Sequence, residues 1–356
     1  MTFPITIKSV LASFFVLAGP VVSQAATITV NNNAGAVADH STMADAIAAA
    51  SAGDTLLVAG STTSYGTAVL DKQLKIVGPG YFLTENNVPG VTPGVDDQPA
   101  TMGLSFANTT VAGSRFIGLT ITSVAYGPLD SDILWDRCRF TINIAWSGAT
   151  DFRATRCFFD GFLQIASTSA ASKCINCSAI GCSMNRLYLN QGAVASHCTI
   201  RGNGNAGWLT VDGASALTNS VIIRWNNNGV NPSITGSVTH CVAVNVDLTP
   251  TGTGAPDINN NYDSIAFADR ETIIQGSASG VAFGTDLYWT LNTSNGSNPA
   301  LGNASDGTNI GFDGGPVPYR LAGQPSIPKI SNLVVPGLAS PTSGLNVKVT
   351  VSEPAP

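Results

Sequence analysis

The sequence predicts an all-β fold, a parallel β-helix wound from coils of about 20 residues, and three observations carry that prediction. First, one position recurs. Phe116, Cys138, Cys157, Cys177, Cys198, Ser220 and Cys241 follow at spacings of 22, 19, 20, 21, 22 and 21 residues, by subtraction of their numbers. They sit in similar frames, such as Asp136-Arg-Cys-Arg-Phe140, Ser196-His-Cys-Thr-Ile200 and Thr239-His-Cys-Val-Ala243. A fixed period of this size marks a stacked repeat. Second, the small Cys or Ser and the residue two later share one face in each frame, while the flanking residues are often charged or polar. A period of two predicts a strand with one buried face. Third, a turn containing Asn, Gly or Asp follows each frame (Asn143, Asp160, Gly181, Gly202, Asn226, Asn245). A second apolar run and a weaker third one complete the period, giving three short strands and three bends. Leucine-rich repeats share the period but need a Leu-Asn pattern that is absent here. Coils stacked at roughly 4.8 Å place Phe116 and Cys241 about 29 Å apart.

In chain order, residues 1–25 read as a secretory leader. Lys8 is their one charge, Val10 to Ala18 is apolar, and Ser23-Gln-Ala25 offers small residues for cleavage. Pro20 interrupts a stretch too short to span a bilayer comfortably, and no other long apolar run exists, so no membrane span is expected after leader removal. Residues 26–315 form the β-helix domain. Ala26 to Val30 is its first strand. A helix over about 41–52 follows, capped by Ser41 and ended by Gly53, with Met43, Ala46, Ile47 and Ala50 on one apolar face. It would cover the open first coil. Residues 85–101 and 245–261 are polar loops. Segments 270–274 and 287–291 read as terminal strands. Residues 316–356 form a Pro-rich tail with two strands, 332–335 and Leu345 to Val351. The second alternates strictly and is a candidate for self-assembly.

The opening of the domain resembles a known family. Gly53-Asp-Thr-Leu, followed by Lys72-Gln-Leu-Lys-Ile-Val-Gly-Pro-Gly80, is similar to the first coils of secreted bacterial right-handed parallel β-helix proteins of the pectin-lyase-like group. The match covers about residues 41–80, and the later coils agree in period alone. The resemblance implies the right-handed fold. It extends to the scaffold only. The Asn-Thr-Asp strand with downstream Asp-Asp and Gly-His-Gly of polygalacturonases is missing. So are the Gln-Asp-Thr of pectin methylesterases and the Trp-x-Asp-His of pectate lyases. Fold alone does not fix function. Segment 306–315 and the run after it resemble, more weakly, a tail that follows β-helices in some secreted bacterial proteins.

Composition narrows the partners. The formal net charge is −6, or −7 once Lys8 is removed, and charged residues make up 11% of the chain. An acidic chain so poor in Lys is a poor candidate for nucleic acid. Seven cysteines in a secreted chain invite disulfides, but a narrow solenoid core accepts small buried thiols, so the ladder cysteines are expected to be free. Cys174 and Cys182 are off the ladder, and the sequence leaves open whether they pair with each other or with Cys177. No metal or other cofactor is predicted. Cys174-x-x-Cys177 lacks a second pair at zinc-finger spacing, His197 and His240 stand roughly 10 Å apart on one column, and Asp306, Asn309 and Asp313 lack the terminal Glu of an EF-hand.

The candidate site is a flank. The residue before each ladder position reads upward as Arg137, Arg156, Asn176, His197, Asn219, His240, and is expected to point outward. Arg139, Arg153 and Arg201 are near in sequence, as are Asp136, Asp151 and Asp160. Stacked guanidinium groups suit the carboxylates of an acidic sugar chain. A lyase would further need a base and a cation beside the adjacent carboxylate. The same residues also read as local charge balance on a solvated face. The function expected is therefore a secreted or cell-surface protein with a non-catalytic glycan-contacting or structural role. The alternative is a polysaccharide lyase or glycoside hydrolase using Asp136, Arg137, Arg139, Asp151, Arg153, Arg156, Asp160, His197 and Arg201.

Overall fold

The computed structural model describes residues 25–85, 98–125, 132–146, 152–165, 173–175, 178–179, 187–190, 192–202, 208–225, 232–248, 261–280, 283–325, 329–334 and 348–352. Most of the leader, most of the two expected polar loops, Asp151, Asn176, Cys177, Cys182 and residues 345–347 lie outside the described residues.

The chain is a parallel β-helix. Successive coils add strands to three walls, the second of which begins only at Ile144 among the described residues. The first wall is a ten-stranded sheet running from Thr27–Val30 to Ser237–Thr239. The second has five strands, from Ile144–Trp146 to Ser233–Ile234. The third has ten, from Thr67–Leu70 to Tyr262–Ile265. Every pairing within these walls is parallel, and apart from shifts after Met102 and after Val242 like positions stay in register, for example Phe152 on Ile133 and Leu187 on Leu163. Register brings like side chains together inside. The Phe116 and Trp135 rings stack at 4.5 Å, and Phe140 and Phe159 at 4.8 Å with only 4° between their planes. Such pairs add about 1 kcal/mol each beyond the area they bury.

Two expectations about the repeat are corrected. The lowest ladder position is Leu119 rather than Phe116, because Thr120 pairs with Arg139 and Phe116 with Trp135. Both candidates are buried and apolar, so periodicity could not choose between them. Nor is each frame one continuous strand. It is a corner, where Ile133–Asp136 of the first wall meets Arg139–Phe140 of the third. The residue before the ladder position makes the turn with positive φ: 53° at Arg137, 56° at Arg156, 50° at His197, 51° at Asn219, 53° at His240 and 64° at Gly118. This left-handed conformation costs a residue with a Cβ roughly 1–2 kcal/mol. Hydrogen bonds climbing the stack hold it. The Arg137 amide donates to Thr155 O at 3.0 Å, that of His197 to Thr218 O at 3.1 Å, and that of Asn219 to Thr239 O at 3.1 Å.

The ladder thiols are free and buried at Cys138, Cys157, Cys198 and Cys241. They complete the corner. Cys157 Sγ donates to Thr155 O at 3.4 Å, Cys241 Sγ to Thr239 O at 3.4 Å, and Ser220 Oγ to Thr218 O at 2.8 Å. Each hydroxyl or thiol thus gives a second hydrogen bond to a carbonyl that already accepts the turn amide of the coil below. Burial pushes the Cys138 thiol well up and the Cys241 thiol to about 12, so both stay protonated. At the upper end Asn261 takes the ladder position. Its Oδ1 accepts the Cys241 amide at 2.8 Å and its Nδ2 donates to Val238 O at 2.9 Å.

The lower end is closed by a helix over Met43–Ala49, shorter than the expected 41–52. Its N-cap is Thr42, not Ser41, with Thr42 Oγ1 accepting the Asp45 amide at 3.1 Å. It stops at Ala50 because that residue is already extended, and Lys72 Nζ binds the last carbonyls at Ile47 (2.9 Å) and Ala50 (3.1 Å). Met43, Ala46 and Ile47 are buried in the solenoid core.

Beyond Ile265 the chain turns back along the outside of the third wall as a strap over residues 267–325. The terminal strands expected at 270–274 and 287–291 are replaced by 3-10 turns over Phe267–Thr272 and Leu287–Trp289, with one antiparallel bridge from Ile274 to Leu291. A second apolar core lies under the strap. Val221, Ile223, Val242 and Val244 on the outer face of the third wall meet Ile273, Trp289, Ile310 and Phe312 of the strap. In the tail, Lys329–Val334 and Lys348–Ser352 pair antiparallel with each other.

Candidate functional site

The strap decides where the flank residues sit. Arg137, His197 and Asn219 point outward from the solenoid, yet only 6%, 4% and 5% of their surfaces are exposed. The expectation of a solvent-facing column is corrected at these positions. Asn219 is clasped by Ser305, donating from Nδ2 to Ser305 Oγ at 3.0 Å and accepting the Ser305 amide on Oδ1 at 2.8 Å. His197 Nε2 lies 3.4 Å from Asp306 Oδ2 and 3.4 Å from Thr308 Oγ1. Burial alone would raise the Asp306 carboxyl, but the Thr308 hydroxyl and amide, with His197, hold it below its usual value. Gly315 lies flat on the imidazole, where an added Cβ would come within 3.0 Å of the ring.

The arginines are similarly committed. Arg156 grips Asp136 with both arms, Nε to Oδ1 at 2.8 Å and Nη2 to Oδ2 at 2.8 Å. Arg137 approaches the same carboxylate at 3.8 Å, and burial lowers its pKa. Arg139 binds Asp160 at 2.8 Å while its guanidinium lies 4.1 Å over the Phe82 ring. Burial raises the Asp160 pKa, with Arg139 opposing. Arg201 is 3% exposed and stacks 3.6 Å over Trp289 and 4.8 Å over Phe283. Desolvation lowers its pKa well below that of a free guanidinium. These are cation–π and ion-pair joints inside a closed contact. Further along, Tyr319 OH donates to the buried Asp286 at 2.8 Å and meets Tyr81 OH at 2.5 Å, tying the strap to the early coils.

The three oxygen donors near the strap's end do not converge. Asp306 binds Thr308, Asn309 Oδ1 accepts the Gly302 amide at 3.0 Å, and Asp313 accepts the Leu291 amide at 2.5 Å. Burial pushes the Asp313 carboxyl up to about 6. Among the described residues no group of three His, Cys, Asp or Glu side chains is placed to hold a metal ion. A shallow cleft of about 590 Å³ opens beside His240, bounded by Asn261, Tyr262, Asn303 and Ser305.

Two outward columns escape the strap. On the second wall, in-register pairing stacks Ala145, Gln164, Tyr188, Thr210 and Ser233. On the first wall, Lys75 pairs with Arg115, Arg115 with Leu134, Leu134 with Arg153 and Arg153 with Lys173. Arg153 thus stands apart from the other flank arginines, on a different face, paired with Asp132 at 3.0 Å in a solvent-exposed bridge. Lys75 and Arg115 were not singled out by sequence reasoning. The signal was present: Arg115, Leu134, Arg153 and Lys173 each stand four residues before a ladder position, at spacings of 19, 19 and 20 by subtraction.

No family model matches the chain, and no curated protein matches it either.

Proposed function

We propose that this is an extracellular or cell-surface β-helix that holds a glycan against a rigid wall without cleaving it. The leader-like pattern of residues 1–25 supports the compartment. The observation that carries the reading is the strap. Of the Arg, Asp and His side chains nearest to a catalytic set, His197 and Arg201 are spent on joining the strap to the solenoid, and the Arg156–Asp136 and Arg139–Asp160 pairs on tying one coil to the next. Glycoside cleavage needs a pair of carboxylates flanking the bond, or a base beside the proton to be removed with a cation at the neighbouring carboxylate. The outward column of the second wall carries none of these. Its composition suits holding instead. Tyr188 offers a flat ring with a polar tip, and Gln164 lies one coil away; both are half-buried, whereas Thr210 on the other side is buried. A sugar lays its C–H face on such a ring while the Gln164 amide exchanges hydrogen bonds with its edge.

The test is a panel of neutral and acidic polysaccharides offered to purified protein, following both binding and the release of reducing or unsaturated ends. Binding without turnover is the expected result. New ends that grow with time and enzyme concentration would overturn the reading in favour of a lyase or hydrolase. No binding across the panel would overturn it in favour of assembly through the tail strands.

A further inference from the structure

Lys75, Arg115 and Arg153 stand on a common outward line of the first wall. Their neighbours along each strand, Ile76, Phe116 and Ala154, are buried in the core, so the alternation turns the cations away from it. All three are exposed, and Lys173 occupies the next register position. Four of the chain's 16 Lys and Arg residues thus fall on one column, although the chain as a whole is acidic. Leu134 is the single uncharged member between Lys75 and Lys173.

The arrangement has a cost. Like charges in register on neighbouring strands repel, and coils roughly 4.8 Å apart fall inside the screening length of about 8 Å at physiological ionic strength. Elsewhere the fold places a carboxylate or an aromatic ring against its arginines: Asp136 with Arg156 and Arg137, Asp160 with Arg139, Trp289 with Arg201. On this column, among the described residues, Asp132 meets Arg153 in an exposed pair, where such bridges contribute little. The strap does not reach the column, because its contacts lie along the third wall and the corner. A straight row of cations on a flat, rigid face is the complement of a straight row of anions.

We propose that this column is the binding strip for an acidic polysaccharide, an extended chain with one carboxylate or sulfate on each successive sugar. This rests on the glycan-holding reading above, adds the first wall as a contact separate from the Tyr188 column of the second, and names the ligand class. A sugar unit in an extended chain advances by about one coil spacing, so successive anions meet Lys75 and Arg115, one passes Leu134, and the next meets Arg153. The fork of each arginine takes two oxygens and fixes the orientation, while Lys75 acts as a point charge. The anion relieves the repulsion within the column, so the protein holds the ligand without rearranging.

The probes are alginate, dextran, duplex DNA and vesicles containing phosphatidylglycerol, titrated by calorimetry into the full chain and into Lys75→Gln/Arg115→Gln/Arg153→Gln. Alginate should bind, weaken steeply with added NaCl, and lose about tenfold or more in the triple variant. Arg115→Glu alone, checked for an unchanged melting temperature, should also weaken it. Alginate binding that is untouched by these substitutions would sink the strip while leaving the glycan reading intact. Dextran binding with no alginate binding would do the same. Failure of both polysaccharides would sink the two together. Preferential binding of DNA or vesicles would overturn the ligand class.

Discussion

Two cationic columns climb the same solenoid, a few residues apart in every coil, and meet opposite fates. The corner column, with Arg137, Arg156, His197, Asn219 and His240, runs along the edge that the strap crosses. Its members form ion pairs and hydrogen bonds inside the molecule. The face column, with Lys75, Arg115 and Arg153, lies on the open first wall and keeps its charge at the surface. Residue type and period are alike in both. The difference comes from what the rest of the chain lays over them. A charged column on a β-helix is therefore informative about function only once the covering segments are placed.

Three substitutions sharpen that contrast. The largest effect belongs to Trp289→Ala, which removes a fully buried ring from the second core and from beneath Arg201. It should lower unfolding free energy by about 4 kcal/mol in a urea titration. A loss below about 1 kcal/mol would mean that the strap is not part of the cooperative fold. Asn219→Ala comes next. It deletes both bonds to Ser305 and leaves alanine, which tolerates left-handed backbone worse than asparagine, at φ 51°. The expected cost is about 3 kcal/mol, with Asn219→Gly recovering about 1 of it. Equal losses in the two variants would remove the backbone part of the argument. The smallest effect is expected for Arg115→Ala on the face column. Its thermal stability should stay within about 0.5 kcal/mol of the parent. A large loss there would show that this column is structural as well.

Much of the fold was legible because a stacked repeat writes itself into the sequence many times over. The ladder cysteines Cys138, Cys157, Cys198 and Cys241, the bends at Asp160 and Asn245 and the apolar face of Met43, Ala46 and Ile47 each reported a local requirement, and each was met. Gly202, expected in a turn, instead ends the strand Thr199–Gly202, and Cys177, Gly181 and Asn226 lie outside the described residues. What resisted reading had no period. The strap is built from short 3-10 turns and irregular backbone, and its partners are more than 80 residues away, as Asn219 and Ser305 show. Its footprint was nevertheless written on the wall. Strands Val221–Arg224 and Val242–Val244 are apolar on both faces instead of alternating, which is the pattern of strands covered on both sides. The corner was misread as a strand because arginine and histidine are unusual at positive φ. Gly118, the one member of that column without a Cβ, was the clue to it.

The strap also sets a length. A free-standing solenoid gains or loses whole coils with little penalty, since each coil touches only its neighbours. Here one segment leaves the top of the stack after Ile265, holds Asn219 and His197 in passing, and ends with Tyr319 and Ala322 locked onto Tyr81. Inserting or deleting one coil between Tyr81 and Ile265 would move one anchor by roughly 4.8 Å relative to the other. The strap could then satisfy only one end. It serves as a tally stick against which the number of coils is fixed, and it turns an open-ended repeat into a molecule of one size.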